Sequence, residues 1–261
     1  MKYSRVLPAI LAAAMALPTI RPTGVTADPM DKGSFTISRN GRVLGAETFQ
    51  YDDGNDGLVV RARQYLTLPS SQGDEPFEKG LDLMVGRLDF ALRRYQSNRN
   101  FRGVKTIRAL ELSDTHYVAY REVNGRGEGD SRVLPPGRLF VMDSQIVTAF
   151  DLLCRGLQGS PFQSRPINLL ALGPSDTMLD ARVVSLGPET IRWGGKPVVA
   201  RKLQLVADSQ TTFTLWAGPR GELLRLVEPV GGLRAEREPP PLRKRRPAPP
   251  PRPAPGPKPG G

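Results

Sequence analysis

One histidine and one cysteine limit the chemistry open to this 261-residue chain. Any Ser-His-Asp or Cys-His relay would have to run through His116. Histidine metal clusters and thiolate zinc sites need more ligands than these two residues supply. His116 stands in Asp114-Thr115-His116-Tyr117 at the start of a predicted strand, and no positioned acid–base partner is identifiable beside it. Cys154 ends the run Ala149-Phe150-Asp151-Leu152-Leu153-Cys154, which reads as the setting of a small buried hydrophobe rather than a reactive thiol. Asp52-Asp53-Gly54-Asn55-Asp56-Gly57 starts like a calcium loop. Its twelfth position from Asp53 is Gln64, where a bidentate glutamate would be needed, so a hairpin turn is expected instead. Gly125-Arg126-Gly127-Glu128-Gly129 lacks the strand-to-helix context and the lysine of a phosphate cradle. The expectation is a protein without metal, cofactor or catalytic residues.

The elements that would position any site are mostly strands. Phe35 and Ile37 alternate with Ser34, Thr36 and Ser38, and Asn40-Gly41 supplies two residues that tolerate the positive φ of a tight hairpin. Residues 43–51 should pair back on that strand. Leu58, Val60, Ala62, Leu66 and Leu68 then share one face, with Arg61, Arg63 and Thr67 on the other. Further strands are expected at 81–97, 103–112, 116–123, 164–172, 179–187, 189–193 and 197–207. A final pair, 211–217 and 222–228, is joined by a turn at Gly218-Pro219-Arg220-Gly221. The glycines and prolines of 125–137 read as loop. One stretch changes period: Ile146, Ala149, Phe150, Leu153 and Leu157 recur at helical spacing. A buried helix is therefore predicted near 143–157, capped by Asp143 or Ser144 and ended by Gly156 or Gly159.

Composition divides the chain in three. Lys2 and Arg5 precede an apolar run, 6–17, too short to span a bilayer, and Val25-Thr26-Ala27 offers small residues at signal-peptidase spacing. Residues 1–27 are thus expected to be a signal peptide cleaved after Ala27. The product would be periplasmic and soluble, with no transmembrane segment, and Cys154 lies too far from the cleavage site for lipidation. The net charge of +11 is concentrated outside the body: three cations leave with the signal peptide, and 233–261 holds eight cations against Glu236 and Glu238, leaving 28–232 at +2. A nearly neutral body lacks the footprint of nucleic-acid binding. Residues 28–237 form one expected β-rich domain. Residues 238–261 hold eleven prolines in 239–261 and the cluster Arg243-Lys244-Arg245-Arg246, and are expected to be a disordered basic tail that contacts anionic envelope surfaces.

Two resemblances arise. Gly129-Asp130-Ser131 resembles the start of the serine-nucleophile block of GDSL hydrolases. Those enzymes use an α/β/α scaffold, and Arg132 follows where they carry an apolar residue, so a turn is expected. Gly33–Gly45, the helix segment 143–157 and Phe213-Thr214-Leu215-Trp216 with Gly221–Leu226 resemble uncharacterised bacterial envelope proteins similar to the LolA/LolB lipoprotein carriers. Over residues 33–230 that resemblance implies a curved antiparallel half-barrel around a helical plug, able to accept an acyl chain of a lipid or lipoprotein. The expected lining is Leu66, Leu68, Leu203, Leu205, Phe213 and Leu215. The alternative expectation is a non-enzymatic envelope interaction module whose tail recruits a partner.

Overall fold

Period-2 alternation puts one face of each strand in oil and the other in water, and here successive strands pair edge to edge into a single sheet. The computed structural model describes residues 30–240 except 72, 144, 145, 160, 174, 209 and 210. The signal-peptide segment and the Arg243–Arg246 cluster lie outside the described residues. In chain order the elements are β1 (Asp31–Arg39), β2 (Arg42–Gly54), β3 (Gly57–Ser70), β4 (Gly73–Val85), β5 (Leu92–Phe101), β6 (Val104–Leu112), β7 (His116–Val123), β8 (Arg126–Val133) and β9 (Leu139–Asp143). The single helix α1 (Val147–Gly156) follows, then β10 (Ser164–Leu172), β11 (Thr177–Trp193), β12 (Lys196–Val206), β13 (Thr212–Ala217), β14 (Leu223–Glu228) and β15 (Leu233–Arg237).

The described residues thus form a mainly β protein: one large, curved, open sheet with one helix. Strands β1 to β8 make one meander and β10 to β15 another. They are joined by β15 pairing with β1, where Ile37 lies opposite Ala235. Every neighbouring pair is antiparallel except β9 with β10, whose parallel pairing requires a crossover that α1 supplies. The free edges are β8 and β9. The Asn40-Gly41 turn adopts positive φ at both residues, as its sequence predicts, and the Gly218–Gly221 turn is closed by a 2.9 Å bond from the Gly221 N–H to the Gly218 carbonyl.

The inner face carries one contiguous apolar cluster, running from Phe35 and Tyr51 through Leu81 and Tyr95 to Leu203, Leu215 and Leu226. Helix α1 is sunk into it, with Phe150 4.8 Å from Phe213, centroid to centroid. Burying each such side chain contributes about 1.5–3 kcal/mol, which matters in a domain with no disulfide. A smaller cluster on the opposite face gathers Ile191, Ala200, Trp216 and Leu224.

Several expectations are corrected. The run 81–97 is two strands, because Gly86 to Ala91 turn back on themselves with Gly86 N–H bonded to Ala91 O. Residues 126–133 are strand β8 rather than loop, so Gly129-Asp130-Ser131 is extended; Asn124-Gly125 turns as Asn40-Gly41 does. The stretches 179–187 and 189–193 are one strand, β11, whose register shifts between Ser185 and Gly187. Strands β9 and β15 were not anticipated.

Candidate functional site

Two buried carboxylates fix the helix inside the sheet, and a third ties down the strand that leads into it. Glu47 and Gln64 face each other across β2 and β3, on the face where Phe49, Tyr51, Ala62 and Leu66 also point. The Glu47 carboxylate receives bonds from Gln64 Nε2 (2.9 Å), Val147 N–H (2.9 Å), Thr148 N–H (2.7 Å) and Thr148 Oγ1 (2.6 Å). It therefore caps α1 from another strand, satisfying N–H groups that a helix start leaves unpaired. The local cap position is Ile146, which has no side-chain bond to give. The expected cap, Asp143, is used elsewhere, and Ser144 lies outside the described residues. Burial pushes the Glu47 carboxyl up to about 7, against the pull of its four donors.

Asp151, on α1, accepts from Leu223 N–H (2.6 Å), Tyr51 Oη (2.5 Å) and Arg155 Nε (2.8 Å). Arg155 also pairs with Asp31, which holds Arg237 at 2.7 Å. Asp143, at the end of β9, pairs with Lys79 of β4 and accepts from Tyr95 of β5. Burial, and then the adjacent carboxylate, hold both tyrosine hydroxyls well above their ordinary range, while burial lowers the Lys79 ammonium. These groups line none of the grooves described below, although Asp31 and Arg237 border another, beside Phe49 and Trp193. They are anchors.

The expected ligand-lining residues are packed into the core. Leu203, Leu205, Leu215, Leu66 and Phe213 are buried there, and Leu68 packs against them. Two of the six also border open grooves: Leu66 one of about 810 Å³ beside Gly45 and Phe77, and Leu203 one of about 480 Å³ at the end of α1. His116 is exposed, with Nδ1 2.9 Å from Thr115 Oγ1, and lies opposite Val133. Ser131 lies opposite Val118, and no hydrogen bond joins it to His116. Cys154 is buried, and burial pushes its thiol well up. Among the described residues no three His, Cys, Asp or Glu side chains group as metal ligands, and no helix is long and apolar enough to cross a membrane.

The groove of about 480 Å³ joins apolar walls to unneutralised charge. Its floor is made by Cys154, Leu203 and Ala217, and its sides by Phe162, Val199 and Pro219. Phe162, in the segment between α1 and β10, is in cation–π contact with two guanidinium groups: Arg165 Cζ is 4.6 Å and Arg201 Cζ 4.3 Å from its centroid. Arg201 Nη1 donates to the carbonyl of Leu157 at the end of α1 (3.4 Å), while its buried Nη2 has no partner among the described residues. Burial, and also the neighbouring Arg165 charge, lower the Arg201 pKa. Arg165 borders a second groove, of about 550 Å³, with Leu157, Phe140 and Ile167.

Sequence reasoning missed both sets. Glu47 and Gln64 were detectable as polar residues at inward positions of alternating strands. The Arg165–Phe162–Arg201 cluster had no local signal, since Arg201 joins Phe162 and Arg165 from a strand two places away in the sheet.

No protein-family model matches the sequence, and no curated protein matches it. Among solved structures the chain is similar to the crystal structure of a DUF1089 family protein from Pseudomonas aeruginosa, at 12% identity and a TM-score of 0.43, over 68% of this chain and 87% of that chain. A likeness at this level bears on neither ligand nor mechanism.

Proposed function

We propose that the chain is an exported, non-enzymatic binding or carrier protein for an acyl chain or another apolar ligand. The observation that carries the reading is the groove at the end of α1, where apolar walls of Leu203, Ala217, Phe162 and Val199 line an open space of about 480 Å³. Ligand sites are typically concave, mostly apolar and roughly 300–1,000 Å³ in volume, with a few polar groups that set orientation. Because the inner face of the sheet is occupied by its own side chains, the ligand is placed in this groove rather than under the sheet. The basic cluster Arg243-Lys244-Arg245-Arg246 would bring the loaded protein to anionic envelope surfaces.

Uptake of a fluorescent fatty acid by the full chain, with native mass spectrometry of protein from an envelope fraction, tests the reading. Val199→Trp is the informative variant, because Val199 is 62% exposed at the groove wall and the larger ring obstructs the site without entering the core. Saturable uptake weakened by Val199→Trp is expected. Absence of both uptake and co-purified lipid would end the carrier reading. N-terminal sequencing of the periplasmic fraction, expected to begin at Asp28, tests export.

A further inference from the structure

Two positive charges share one aromatic ring, each bordering its own apolar groove, and among the described residues no carboxylate pairs with either. Arg165 comes from β10 and Arg201 from β12, two strands apart in the sheet, and Phe162 stacks with both. An aromatic face attracts a cation but carries no net charge, so the pair still repels itself. Neither arginine forms an ion pair among the described residues. Asp180 borders the same groove as Arg165 without reaching salt-bridge distance, and Arg138 nearby spends its donor on the carbonyls of Asp89 and Gly156. One edge of the Arg201 guanidinium caps the helix end; the other edge is buried and unused. A planar fork with free donors fits the oxygens of a carboxylate or phosphate.

We propose that Arg165 and Arg201 form the head-group site of the bound ligand, which is an acidic amphiphile: an oxyanion head held by the two guanidinium groups, with its aliphatic chain lying in the adjoining groove. The proposal rests on the apolar-ligand reading and adds the class of head group to it. Charge complementarity selects the occupant. A neutral amphiphile would leave Arg201 Nη2 unpaired and the charge of both arginines uncompensated, whereas an oxyanion supplies the missing acceptor and counter-charge.

The test compares dodecanoate, dodecyl phosphate, dodecanol and inorganic phosphate as competitors of a fluorescent fatty acid on the full chain at low salt. Both acidic dodecyl compounds should displace the probe at least about tenfold better than dodecanol, the usual scale of a charge-assisted contact. Arg201→Gln and Arg165→Gln should each bring dodecanoate and dodecyl phosphate down to the level of dodecanol on the same variant, and Arg201→Lys should restore part of the difference. Circular dichroism confirms that the variants are folded. Equal displacement by dodecanol and dodecanoate overturns the head-group site but leaves the apolar-ligand reading standing. Displacement by inorganic phosphate as effective as by dodecyl phosphate overturns the amphiphile in favour of a small-anion site. Failure of every dodecyl compound to bind removes both readings together.

Discussion

Glu47→Gln isolates the energetics of a helix capped from across the fold. Burial pushes the Glu47 carboxyl from its ordinary 4.5 up to about 7. Between those values the native protein keeps a proton that the unfolded chain releases, so raising the pH favours unfolding. The stabilisation is complete below pH 4.5 and is lost as pH rises through 7. At 1.36 kcal/mol per unit, the interval corresponds to about 3 kcal/mol. The site tolerates both forms: Thr148 Oγ1, 2.6 Å away, donates to the carboxylate and can rotate to accept from the acid. Glutamine keeps an acceptor for the helix N–H groups but does not titrate. Urea unfolding of both proteins from pH 4.5 to 8, followed by the fluorescence of Trp193 and Trp216, gives the comparison. The stability of the wild type relative to Glu47→Gln should fall by about 3 kcal/mol across that range. Parallel pH curves would refute the reasoning, because the four donors would then outweigh burial and keep the group ionised throughout.

Three other outcomes follow from single contacts. Lys79→Met leaves Asp143 buried with only Tyr95, among the described residues, to donate to it, and should cost about 3–5 kcal/mol in urea unfolding; adding Asp143→Asn should recover much of that loss. Gly45→Ala would place its Cβ 2.1 Å from the Tyr65 carbonyl oxygen at a φ of +153°, so a loss of about 1–3 kcal/mol is expected in the same assay. Cys154, 2% exposed, should be silent toward Ellman's reagent in the native protein and react once the chain is unfolded in urea; a rapid native reaction would show that the floor of the groove opens to solvent.

The strands were legible where side chains alternate strongly, as in 34–38 and 58–68, because a half-buried strand writes its two faces into the sequence. The helix was legible through the spacing of Ile146, Phe150, Leu153 and Leu157, all of them buried. Strand β8 was obscured by its composition: Arg126-Gly127-Glu128-Gly129-Asp130 has no apolar face to bury, and it is ordered by pairing with β7. Strand β9 is short and pairs in parallel with a strand beyond the helix, so its partner cannot be inferred from a neighbouring turn. The candidate site was less legible still. Leu203 could be assigned to an inward face, but its position at a groove depends on Phe162 and on the bulge that reorients β11.

The open sheet has two free backbone edges, and side chains bind its ends together. Asp143 of edge strand β9 is held by Lys79 and Tyr95 from β4 and β5. On the other side, Arg108 of β6 pairs with Asp176, and Arg132 of edge strand β8 donates to the Asp176 carbonyl at 3.0 Å. These contacts cross between the two meanders without a backbone ladder, and they lie with β4–β9 and the turn before β11. The apolar groove is built instead on α1, β11, β12 and β13, and its polar end is the Arg201 guanidinium, which already caps the helix through Nη1. A ligand seated there would touch neither the seam nor the Glu47 anchor. On the proposed reading, binding would need no opening of the sheet, because the groove lies at the rim of the helix and not within the buried cluster.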